Sequence, residues 1–128
     1  MRVRKLLTIW SIILTSLSCV QKTQPKTITL IVDMSTIKNV KTVGVRGSNL
    51  PLSWKETLFL DDKNNDGTYK TTLNLNTANY DIEFKFIKND SIFELEKQNN
   101  RNIVFEYKPE SIIYKTSFNN PESKTSKK

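Results

Sequence analysis

The chain has no histidine, and its 128 residues include a single cysteine, Cys19. Without histidine, the only side chain that ordinarily titrates near neutrality is missing, and with it the commonest metal ligand. Ser-His-Asp and Cys-His mechanisms are therefore excluded, and one cysteine cannot form an internal disulfide. Glycine (3) and proline (4) are scarce, which excludes a collagen-like or low-complexity chain. No apolar run reaches the roughly 20 residues that a membrane-spanning helix needs. Catalysis would have to rely on acids such as Asp61, Asp62, Asp66, Glu83, Glu94 and Glu96. Nothing in their spacing sets two of them at the separation a glycosidase requires. Solvated strand and loop charges are the expected reading, with no enzyme activity and no cofactor.

The formal net charge of +7 is unevenly placed. Arg2, Arg4 and Lys5 lie in an N-terminal segment whose removal leaves 17 basic against 13 acidic residues, and Lys124, Lys127 and Lys128 lie in a polar tail. The remainder is nearly neutral and lacks the clustered basic face of a nucleic-acid binder. Residues 1–18 read as an export signal, with a basic start, an apolar run over residues 6–14, and small residues ahead of Cys19. This ending resembles the lipobox of bacterial lipoproteins, although Ser16 stands three places before the cysteine and Leu17 one place late. The resemblance implies acylation of Cys19 and a lipid-anchored protein of the bacterial cell envelope. No aspartate follows the cysteine, which favours the outer membrane. An ordinary signal peptide or an uncleaved anchor is the alternative. Residues 19–26 are expected to be a tether with nothing to bury.

Residues 27–118 are expected to form the single domain, with 119–128 as a disordered polar tail. Tyr80, Ile82, Phe84 and Phe86 alternate with Asp81, Glu83 and Lys85, the period of two of a half-buried strand. Asn89-Asp90 then supplies turn chemistry for a hairpin into Ile92-Phe93. Lys85 should project away from the core, with Phe93, Asn100 and Arg101 near it. Further strands are expected over residues 27–34, 39–46, 57–60, 68–75, 102–107 and 111–117, with 68–75 pairing onto the strand that starts at Tyr80. No segment keeps a helical period. Seven to eight short strands describe an all-β, antiparallel, immunoglobulin-like sandwich.

Two loops carry candidate sites. Asp62, Asn64 and Asp66 ahead of Gly67 fit the opening of a calcium loop, but the twelfth position is Leu73 where an acid should stand. A hairpin turn needs the same residue types. Trp54 sits on a Pro-containing loop, where an indole can stack on a sugar ring or close the end of a sandwich.

Taken in order, the chain shows Arg46-Gly47-Ser48, Leu52-Ser53-Trp54, Asp66-Gly67-Thr68-Tyr69, Glu83-Phe84-Lys85-Phe86, Phe93-Glu94 and Asn100-Arg101. This series, over residues 43–105, resembles the starch-binding domains of the family-twenty carbohydrate-binding modules. The resemblance implies a sandwich that binds an α-glucan or similar polysaccharide without catalysis. Trp54 and Phe93 match the two stacking aromatics, Lys85 the lysine beside the sugar, Glu94 the acid that follows the second aromatic, and Asn100 the asparagine that bonds hydroxyls. Phe93 offers a smaller plane than the expected tryptophan, and Ser53 replaces a glycine. The alternative is an envelope interaction or scaffolding module that keeps the fold but not the sugar.

Overall fold

A computed structural model describes residues 21–128, so the export signal and Cys19 lie outside the described residues. Nine strands follow one another: β1 (Gln24–Asp33), β2 (Val43–Gly47), β3 (Leu58–Phe59), β4 (Thr68–Thr77), β5 (Asp81–Lys88), β6 (Ile92–Phe93), β7 (Arg101–Val104), β8 (Glu110–Ser117) and β9 (Ser123–Lys127). They form two sheets. One has the order β4-β1-β8-β9; the other has β3-β2-β5-β6, with β7 also paired to β5.

Alternation decides which way each strand faces. Ile28, Leu30 and Val32 of β1 are buried against Val43 and Val45 of β2, Ile82, Phe84 and Phe86 of β5, and Ile112 and Tyr114 of β8. Phe84 lies at the centre, with its ring edge-on to Phe86 at 5.7 Å and to Tyr114 at 5.1 Å. Each such side chain contributes roughly 1.5–3 kcal/mol on burial. Both sheets and this core are made by residues within the described span, 21–128.

The all-β sandwich matches the expectation, with four differences. First, β4 pairs with β1, Ile28 opposite Leu73, and not with β5. The short connection after Thr77 instead crosses from one sheet to the other. Second, β1 and β8 run parallel, Lys26 opposite Glu110 through Asp33 opposite Ser117, so the sandwich is not wholly antiparallel.

Third, the tail is not disordered, because β9 pairs with β8 from Ile112–Lys127 to Thr116–Ser123. A strand of Ser, Lys and Thr carries no apolar alternation, and its backbone pairing is invisible in composition. Fourth, the tether ends before Gln24. Lys26, expected to have nothing to bury, is 2% exposed. Its ammonium donates to the carbonyls of Glu106 (2.7 Å) and Lys108 (2.5 Å) and to the Glu110 carboxylate (2.7 Å). All three donors of a lysine are thus satisfied.

The Asp62–Gly67 loop, which carries the calcium candidates Asp62, Asn64 and Asp66, forms a tight turn closed by its own side chains. The Asp62 carboxylate accepts the amides of Asp66 (3.1 Å) and Gly67 (2.9 Å), and Asp66 accepts that of Thr68 (3.0 Å). Asn65 and Gly67 take positive φ values of 53° and 85°. Desolvation acts to raise the Asp62 carboxyl, but these amides outweigh it and hold it below its ordinary value. Among the described residues, no three His, Cys, Asp or Glu side chains gather where a metal could bind.

Candidate functional site

The outer face of the five-stranded sheet is set by register. Phe59, Gly44, Ile87 and Phe93 form one row across β3, β2, β5 and β6, and Arg46 faces Lys85 in the next. The β5–β6 hairpin turns at Asn89 and Asp90, both at positive φ (53° and 60°). Three residues link the paired Lys88 and Ile92, and positive φ at the first two supplies the twist of a tight hairpin turn. The turn places the Asp90 carboxylate beside β2, where it accepts the Thr57 hydroxyl at 2.5 Å. Thr57 in turn accepts Arg46 Nε at 2.9 Å, and Asp90 lies 3.5 Å from Arg46 Nη2.

These contacts fix the Arg46 guanidinium. Its Nη1 donates to the Trp54 carbonyl at 3.3 Å, and its carbon stands 5.5 Å from the centre of the Phe93 ring. One cation therefore links the backbone of the tryptophan loop to the aromatic ring of β6, a favourable placement over a π face. The loop is anchored by Leu52, which is buried, while the Trp54 side chain is 39% exposed and Phe93 is similarly open. Arg46 entered the sequence reading only as the end of the strand over residues 39–46 and the start of the Arg46-Gly47-Ser48 motif. The buried alternation of Val43 and Val45 was the signal that it points outward.

Lys85 lies on the same face, opposite Arg46, and its ammonium donates to the carbonyls of Leu95 and Gln98 at 3.0 Å each. One donor remains for a ligand. The loop that supplies these carbonyls is bent, because Leu95 and Lys97 adopt φ values of 50° and 60°. For a bulky side chain such a conformation costs on the order of 1–3 kcal/mol. It is held by the Asn119 side chain, which accepts the Leu95 amide at 2.9 Å. Asn100 is exposed one position beyond the last β5–β7 pair, Phe84–Arg101. With Leu95, Gln98 and Pro121 it lines a cleft of about 460 Å³.

Glu94, placed at the site by resemblance, is not there. It is 0% exposed and is bound in a fork by Arg101, with Nε to Oε2 at 2.6 Å and Nη2 to Oε1 at 2.8 Å. It also accepts the Phe86 amide (2.9 Å) and the Asn119 amide (3.1 Å). Arg101 continues inward to the Tyr114 and Thr116 hydroxyls and to the carbonyls of Ser117 and Asn120. Burial alone would lower the guanidinium's proton affinity, but the bonds from Glu94 outweigh it and raise it further above its ordinary value. Both residues of β6 are exposed, and the chain turns inward just after it, so that Glu94 and Leu95 are buried together.

No protein-family model matches this sequence, and no curated protein matches it. Among solved structures, the chain is similar to CBM25-2 of the beta/alpha-amylase from Paenibacillus polymyxa. That likeness has a TM-score of 0.50 at 12% identity and covers 82% of this chain and 94% of that one. CBM25-1 of the same enzyme gives a TM-score of 0.42 at 12% identity, with 71% and 81% covered. The sequence motifs pointed to the module family numbered twenty, whereas these neighbours carry the number 25. The first likeness extends over nearly the whole of the neighbour, and the chain accordingly has the β-sandwich fold of a carbohydrate-binding module.

Proposed function

We propose that this domain is a non-catalytic carbohydrate-binding module that holds an α-glucan or a similar oligosaccharide on the outer face of its five-stranded sheet. The observation that carries the reading is the single guanidinium of Arg46, bonded to the Trp54 carbonyl and lying over the Phe93 ring beside Lys85. Aromatic planes stack on the apolar faces of pyranose rings, and fixed donors select hydroxyl orientation. Trp54 and Phe93 supply the planes; Lys85, Arg46 and Asn100 supply the polar ends. A shallow platform of this kind gives weak affinity, on the order of 10 μM to 1 mM. The fold shared with a module of an amylase supports the same reading.

The proposal includes a lipid anchor at Cys19, in the bacterial envelope with the outer membrane favoured. It is supported by the sequence of residues 1–19. Affinity electrophoresis of residues 21–128 tests the sugar reading. Amylose and glycogen should retard the fragment while unrelated glycans do not. Trp54→Ala and Phe93→Ala should each weaken retention at least tenfold, about 1.4 kcal/mol, without lowering the melting temperature. A fragment that runs unretarded in every glycan would instead be a scaffolding module that shares only the fold.

A further inference from the structure

We propose that one end of the sandwich, the end bearing Tyr80 and Tyr107, rests against the lipid headgroups of the membrane. The proposal depends on the Cys19 anchor proposed above and adds to it an orientation. A fully extended chain advances about 3.5 Å per residue, so Gln21 stands no more than roughly 7 Å from Cys19. Gln21 and Gln24 line a small pocket with Tyr80, Phe105 and Tyr107. The strand begins at Gln24 and Lys26 is locked within it, so no long tether intervenes. An acylated Cys19 therefore brings this end of the domain down to the bilayer.

The side chains at this end suit that position. Tyr80 is 74% exposed and Tyr107 56% exposed, and both line the pocket. Leu50 is 82% exposed, and its neighbour Asn49 donates to the carbonyl of Asp81, next to Tyr80. Tyrosine has an apolar body and a polar tip, the combination enriched at membrane–water interfaces. The opposite end is built from the Asp62–Gly67 turn, where Gly67 accepts the Met34 amide. It is separated from the first by the ten residues of β1, about 30 Å, and it carries Lys63, Asn64 and Asn65 in place of aromatics. Phe93 and the Asp90 turn lie toward this far end, at the Lys88 end of β5.

The test uses the full chain, expressed in a bacterium and reconstituted into vesicles that contain nitroxide-headgroup lipid. Tyr107→Cys and, as a second position, Leu50→Cys are labelled with a fluorophore, with Lys63→Cys as the far-end reference. Strong quenching at 107 and 50 with little at 63 is the expected result. Equal or absent quenching at all three positions, in a chain whose intact mass shows the acyl group on Cys19, would overturn the docking and leave the anchor standing. An intact mass without the acyl group would overturn the anchor and the docking together. Retention by amylose, measured on the same preparations, is independent of both.

Discussion

At the scale of single residues, two neighbours in the chain beside the platform have opposite fates. Phe93 lies open on the outer face, and Glu94, one step along, is wholly buried against Arg101. Removing one partner of a buried ion pair leaves an uncompensated charge in the core, at about 3–5 kcal/mol. Glu94→Ala should therefore lower stability by about that amount in urea titrations, whereas Trp54→Ala should change it little. A Glu94→Ala protein that unfolds at the wild-type midpoint would show that the fork contributes nothing. Motif resemblance placed Trp54, Lys85 and Phe93 on one face, and the register brings Lys85 and Phe93 there with Arg46 joining them to the Trp54 loop. It misplaced Glu94 because a motif is a string, and the string does not record that the chain turns inward where β6 ends. Arg46 could have been found by applying period-two alternation to β2.

At the scale of elements, the platform depends on how closely β3 and its approach pack over β2. A Cβ added at Gly44 would run into the Thr57 methyl and stand 3.1 Å from the Leu58 carbonyl oxygen. Gly44→Ala should thus push Thr57 off its bonds to Arg46 and Asp90. The expected loss is about 1–3 kcal/mol of stability, with weaker glucan retention although no ligand-facing side chain is altered. Unchanged retention would mean that the Asp90–Thr57–Arg46 chain does not position the site.

The tail is a second case. Lys127 lies 3.2 Å from Glu110 Oε2 and donates to the Val104 carbonyl at 2.6 Å. Ending the chain at Pro121 should lower the urea midpoint by an amount corresponding to roughly 1–3 kcal/mol, the typical effect of stripping a partner from a buried polar group. The apolar strands were legible from their period of two. The strand β9 was not, because its register is held by backbone bonds and two lysine contacts, neither of which leaves a pattern in hydropathy.

At the scale of the whole molecule, acid sensitivity follows from where the carboxylates sit. Burial acts to raise the Glu110 carboxyl, but the Lys26 ammonium, the Glu106 amide and Lys127 together hold it below its ordinary 4.5. The Ser35 amide and hydroxyl likewise lower Asp33. A carboxyl depressed in the folded state stabilises the fold above its unfolded value and loses that contribution as pH falls through its folded one. Stability should therefore be flat above about pH 5 and decline below about pH 4.5. Lys26→Met should lower it at neutral pH and flatten the decline, as read from melting temperatures across that range. A melting temperature that does not change from pH 6 to pH 3 would contradict this.

The parallel pairing of β1 with β8 has a consequence for the order in which the molecule can be made. A ribosome releases Lys26 more than eighty residues before Glu110, the carboxylate that neutralises it. Until then one border of β1 stays open, and loop closure over so long a separation is slow. The newborn polypeptide can join β1 to β4 early, but its ledger of charges closes only once Glu110 has emerged.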